Sequence, residues 1–219
     1  MVNLDAVLKT VLANHGNNPD PISVDFPAGP EHITLQSDLW TMSAFKSNEI
    51  TFRPQYIIDE IEKYQNELLN DLYNGKTTTA RPIFYENSYN ILTTIGLTQS
   101  AKRDTGEVST TNTHNSIGTS STTPTEADVG LGAEDSGGSY ARRAYASAGQ
   151  RKVVSTTAKY GMLWQDSNVS AVPISIKESG VHWASSGSSN IHARVTFTTF
   201  SMSSGDLFVT QINELHQNG

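Results

Sequence analysis

One stretch limits what this chain can become. From His114 to Glu134 it reads H-N-S-I-G-T-S-S-T-T-P-T-E-A-D-V-G-L-G-A-E. Small hydroxylated residues interrupted by Gly118, Pro124, Gly130 and Gly132 cannot make a helix of useful length. The stretch reads as a long surface loop carried by strands. Apolar residues before it recur at helical spacing, whereas those after it alternate. The fold therefore has to change character along the chain.

The composition fits that division. Only 17% of the 219 residues are charged, while 25 Ser and 24 Thr fall mostly in the second half. Threonine suits a half-buried pleated surface and serine suits turns. Regularly placed Val, Ile, Phe and Trp through the last 70 residues argue against a disordered tract. The net charge of -7 lies almost wholly in residues 1–80, which hold 11 acids and 5 bases. Residues 81–219 are close to neutral, so the basic footprint of a nucleic-acid binder is missing. No run of about 18 apolar residues implies a membrane span. The start, Met1-Val-Asn-Leu-Asp5, does not read as a signal peptide. Without cysteine there is no disulfide framework.

In chain order, Leu4, Val7, Leu8, Val11 and Leu12 predict a helix over about 3–14. Glu31–Gln36 alternates like a short strand; the surrounding residues 17–53 read as irregular or strand-like, with Trp40, Met42 and Phe45 packing them down. The clearest helix runs from about Pro54 to Asn74. Pro54 suits its first turn, Asp59, Glu60 and Glu62 sit near its positive end, and Gly75 stops it. Ile57, Ile58, Ile61, Tyr64 and Leu68 form its apolar stripe. Such a stripe serves either internal packing or docking to a partner.

After Gly75 strands are predicted at 83–85, 89–95, 151–166, 171–177, 191–200 and 207–212, with turns around 99–111 and at 185–190 and 204–206. Pro173 argues for an edge position. Ile191, Ala193, Val195 and Phe197 fall on one strand face. The expected architecture is mainly β, an antiparallel β-sandwich of jelly-roll type over 81–219, preceded by a small helical or irregular docking segment over 1–80.

Several pieces of the second half fall in a familiar order. They are Ile117-Gly118-Thr119 with Pro124-Thr125, then Asp128, Leu131 and Glu134, then Arg142 and Arg143. Glu178-Ser-Gly180, Phe197 to Phe200 and Gly205-Asp206-Leu207-Phe208-Val209-Thr210 complete them. In this order they resemble a β-sandwich protein type of tailed-virus particles, of the tail or fibre kind. The likeness covers roughly residues 112–212, and Ser120 stands where that type usually has Gly. It implies a non-enzymatic structural protein of the virion, a homo-oligomer on tail, neck or capsid surface that contacts other virion proteins. An alternative is a host-recognition module, in which Trp164, Trp183 and Tyr140 meet a glycan or receptor protein.

The charged residues admit two uses. Asp128 and Glu134 are placed to pair with Arg142 or Arg143, clipping the loop to the next strand. Glu178 reads as a turn carboxylate bonding backbone amides. As catalytic candidates, Asp104 with Glu107 and Glu126 with Asp128 are paired acids that a glycosidase would need across a cleft. Among six histidines, His182 and His192 are the pair that a hairpin could bring together around a metal. No nucleophile elbow, phosphate loop or dinucleotide fingerprint is present, and no catalytic, cofactor or metal residue is assigned. The subunit interface is instead expected at Ile57, Ile61, Tyr64 and Leu68, and at Ile117, Val129 and Leu131 in the loop. With so few apolar anchors, the loop over 115–140 is expected to be ordered only against a neighbouring subunit.

Overall fold

A computed structural model of the chain describes residues 39–76, 80–136, 140–155, 157–165 and 173–215. The expected helix over 3–14 and strand over 31–36 lie outside these residues. The described residues fall in one compact unit.

Two five-stranded antiparallel sheets make the body. The first joins β2 (Phe84–Tyr89), β1 (Leu39–Lys46), β10 (Asp206–Leu215), β7 (Thr157–Gln165) and β6 (Arg151–Val154), in that order. The second joins β3 (Ile91–Leu92), β9 (Ile191–Met202), β8 (Ile174–His182), β4 (His114–Gly118) and β5 (Arg143–Ala144). The mainly β, sandwich-type expectation is met. Between the sheets lies a core that includes Trp40, Met42, Phe84, Ile117, Trp164, Ile176, Val195, Phe200 and Phe208. Three phenylalanines stack there, Phe208 within 5.8 Å of Phe197 and 5.7 Å of Phe200.

The sheet reaches further back than residue 80. β1 lies between β2 and β10, pairing Trp40 with Ile212 and Lys46 with Asp206. Residues 39–46 are thus an inner strand rather than part of an irregular docking segment. The physical reason is that both faces of β1 are covered. Trp40, Met42 and Ala44 point into the sandwich, while Phe45 belongs to a second apolar cluster on the opposite face.

That second cluster is formed by helix α1 (Ile57–Tyr73), entered through a 3-10 turn at Pro54–Tyr56. Ile57, Ile58, Ile61 and Tyr64 pack on Phe45, Phe52, Leu163, Leu207 and Val209. Gly161 makes the close approach possible, because a Cβ there would lie 2.9 Å from Ile57 Cγ2. Lys152 reaches Asp59 and Lys159 reaches Glu62, fastening the helix's acidic flank to β6 and β7. Gly75, at φ +67°, ends the helix as the sequence suggested.

Other expectations shift. The strand predicted over 89–95 stops after Leu92, because Thr93 caps a helix, α2 (Thr94–Asp104), where a turn was expected. Thr93 Oγ1 accepts the Gly96 N–H at 3.0 Å. The run predicted as one strand over 151–166 is the hairpin β6–β7, with Ser155 at φ 55° in its turn. Pro173 does not mark an edge, since β8 runs between β9 and β4. It stands just before the strand, where its missing N–H costs the ladder nothing. In β9, a register shift between Ile176/Phe200 and Glu178/Thr196 lets Phe197 and Phe200 both face the core. A second shift places Ile191 opposite His182, away from the face of Ala193 and Val195.

Candidate functional site

The outer face of the second sheet carries the chain's densest polar chemistry. Glu178, Gly180 and His182 alternate along β8; β4 sets Gly118, Ser116 and His114 directly opposite them. Arg194 of β9 pairs with Gly180. Glu178, His182 and Arg194 are all 2% exposed or less. Burial at that level requires every charge and polar group to be paired. A strap formed by residues 119–136 supplies partners for Glu178 and Arg194.

Glu178 is the centre. Its Oε1 accepts the backbone N–H of Ala133 at 2.7 Å and of Ser120 at 3.2 Å. Its Oε2 accepts Gly132 N–H at 2.9 Å and Arg194 Nε–H at 2.9 Å. Arg194 continues outward, donating to Asp128 Oδ2 at 2.5 Å and to the Thr122 carbonyl at 2.9 Å. Burial opposes the charge on Asp128. Hydrogen bonds from Thr125 and Arg194 outweigh it and hold the carboxyl below its usual range. Glu178 therefore does bond backbone amides, but from the middle of a strand rather than in a turn.

A second clip lies beside it. Arg142 forks onto Glu134 at 2.8 and 2.5 Å and donates to Ala184 O and Asn190 Oδ1. Asn190 Oδ1 lies 3.1 Å from His182 Nδ1, and Ser116 Oγ lies 2.6 Å from His182 Nε2. Burial, with the Arg142 charge adding to it, pushes the His182 pKa down to about 3. Backbone bonds complete the strap: Thr119 N–H to Ala133 O, Asp135 N–H to Ile117 O, Ser189 N–H to Val129 O and Thr94 N–H to Glu126 O.

Glycines make this seating possible. A Cβ on Gly118 would lie 2.5 Å from Ala133 O, and one on Gly180 would lie 2.9 Å from both Leu131 Cδ2 and Ile191 Cδ1. Leu131 thus docks on its own sheet.

The structure places each of the seven residues expected at a subunit interface. Ile117 is fully buried between the sheets, and Ile57, Ile61 and Tyr64 are buried beneath α1. Leu68 packs partly on the same cluster, and Leu131 sits over Gly180. Of the seven residues, Val129 alone is 48% exposed. Within the chain the strap is held by the buried carboxylate of Glu178 and by Arg194 and Arg142, in place of the apolar anchors it lacks. Glu134 pairs with Arg142 as expected. Asp128 takes Arg194, which sequence reasoning missed, while Arg143 stacks on Trp164 at 5.0 Å and donates to Leu163 O. Arg194 left one signal: a lone cation on the polar side of an otherwise alternating strand.

The remaining candidates separate. His182 faces Ser116 and Asn190, while His192 Nε2 lies 3.2 Å from Glu214 Oε1, so the two histidines have different partners. Among the described residues no group of three His, Asp or Glu is set to hold a metal. Asp128, half of one acid pair, is bound to Arg194. Glu107 of the other accepts from Thr105 Oγ1. Trp164 is fully buried in the core and cannot meet a receptor. An open groove of about 460 Å³ runs along α1, lined by Asp59, Glu62, Lys63, Asn66, Glu67 and Asn70. Among the described residues no helix is long and apolar enough to cross a membrane. No protein-family model, curated protein or solved structure matches this chain.

Proposed function

We propose that this chain is a non-enzymatic structural protein of a tailed-virus particle, assembling with itself and with other virion proteins as a symmetric oligomer on the tail, neck or capsid surface. One observation carries the reading. The scattered residues on which the resemblance rests, Gly118, Asp128, Leu131, Glu134, Arg142, Glu178 and Gly180, meet on one outer sheet face and fasten one strap. Residues separated by up to about sixty positions thus serve a single local structure, as a shared architecture requires.

The chemistry of the cluster favours building over catalysis. The carboxylate oxygens of Glu178 are saturated by three amides and a guanidinium, which leaves them nothing to offer a substrate. The surface also keeps large apolar side chains in water. Tyr73 is 91%, Val153 74% and Tyr89 72% exposed, on α1, β6 and β2. The host-recognition alternative loses Trp164, one of the two tryptophans it invoked.

The test has two parts. Light scattering on the purified chain is expected to give an oligomer, and mass spectrometry of particles from its virus is expected to detect the chain at stoichiometric copy number. A monomer at high concentration that is also missing from purified particles would overturn the proposal.

A further inference from the structure

The strap is anchored by charge, and one anchor sits on a buried histidine. Asn190 Nδ2 donates to the carbonyls of Ser186 and Gly187, which fixes the amide so that its Oδ1 points at His182. That oxygen also accepts from Arg142 at 2.8 Å. His182 therefore presents Nδ1–H to Asn190 and accepts the Ser116 hydroxyl at Nε2. This is the neutral tautomer, assigned from the hydrogen-bond network. A proton added at Nε2 would place a second positive charge within the surroundings of Arg142, in a site without exposure to water.

We infer that the strap over 119–136 is an acid-released clasp, opened when His182 takes up a proton, and that its release uncovers Gly180 and Ile191 on the outer face of the second sheet. The inference goes beyond the virion reading and does not rest on it.

The charged surroundings point the same way from each side. β4 presents His114 opposite His182. The segment before β5 presents Arg142, β9 presents Arg194, and β8 itself carries Glu178. The strap contributes Asp128 and Glu134, each already held by an arginine. His114 is depressed as well, by burial and then by Arg142. His182 is thus held neutral when the clasp is shut and regains ordinary basicity when it opens. The opened form binds more protons from about pH 6.5 downward. Release of His182 favours opening about tenfold per pH unit until its closed-state value is reached. Asp128, held below its usual range by Thr125 and Arg194, keeps its acceptor role through this window, so the Arg142–Asn190 end lets go first.

Hydrogen exchange on the full chain tests this between pH 7.5 and 4.5. Protection in 119–136 is expected to fall about tenfold per pH unit below pH 6.5, with β10 unchanged. His182→Gln, whose amide can still bond Asn190 and Ser116, is expected to keep the protection at pH 7.5 and flatten its pH dependence. An unchanged slope in H182Q, pH-independent protection in the unaltered chain, or loss from β10 in step with the strap would each overturn the clasp. Should H182Q not fold, the ring resonances of His182 in the unaltered chain decide. Titration near 6.5 overturns the inference, and protonation only below that value, in step with the loss of protection in 119–136, upholds it.

Discussion

Replacing Glu178 by Gln tests whether the strap is fastened as described. The change keeps shape and volume but turns one acceptor oxygen into a donor. If the new amide replaces Oε2, it meets Gly132 N–H and the Arg194 guanidinium, donor against donor. If it replaces Oε1, it meets the N–H groups of Ser120 and Ala133. Neither flip escapes conflict. Arg194, 2% exposed, is left with Asp128 as its one carboxylate partner. Breaking a buried pair from one side typically costs about 3–5 kcal/mol. With a urea slope of about 2 kcal/mol per M, the unfolding midpoint should fall by roughly 1.5–2.5 M. Urea unfolding followed by tryptophan fluorescence reads this directly, since Trp40 and Trp164 lie in the core. The double variant with Arg194→Gln should lose less than the sum of the two singles, because neither charge is then stranded. A midpoint within about 0.5 M of the unaltered chain would mean that Glu178 does not hold the strap, and the account of its burial would fail.

Ile61→Ala should cost about 2–5 kcal/mol at every protein concentration, since Ile61 is buried within its own subunit; a loss seen only when the chain is dilute would return it to an interface. Gly118→Ala should cost about 1–3 kcal/mol, because the new methyl meets a backbone carbonyl. Gly180→Ala should cost less, as the tips of Leu131 and Ile191 can turn aside; equal losses in thermal melts would contradict the difference. Asp128 has a folded-state pKa below its unfolded one, so its contribution is present above about pH 4 and disappears as pH falls through the folded value. Asp128→Asn should therefore be less stable than the unaltered chain at pH 7 and approach it as the pH falls through the folded value; a difference in stability that stays constant on acidification would count against the Arg194 pairing.

What the sequence revealed depended on how many faces each element buries. α1 was legible because one side of it meets a sheet and the other meets water, which writes a 3.6-residue stripe between Pro54 and Gly75. β1 was not. With Trp40, Met42 and Ala44 facing one cluster and Phe45 the other, no polar side remains to mark an alternation. β9 was half legible, since its register shifts change which side is inside after Phe197 and before Ala193. The amide-binding role of Glu178 followed from residue chemistry alone. Its partners did not, because Ser120 and Ala133 lie 58 and 45 positions away and no local rule joins them. The intrachain contacts of the strap were illegible for the same reason. Counting apolar anchors overlooked three buried charges that do the fastening.

The position of β10 has a consequence for how the chain is made. It lies between β1 and β7, and Lys46 pairs with Asp206 across 160 positions. At a synthesis rate of about 5–20 residues per second, β1 waits roughly 8–30 s for this neighbour. During that interval Trp40, Met42 and Phe45 have β2 and α1 beside them, but one side of the strand stays open. The first sheet therefore closes only when its last strand leaves the ribosome, and a chain stalled before Asp206 presents an unpaired, apolar edge. Nascent copies translated from one message are then the molecules most exposed to pairing with each other, and shielding that edge is the step at which a chaperone would matter most for yield.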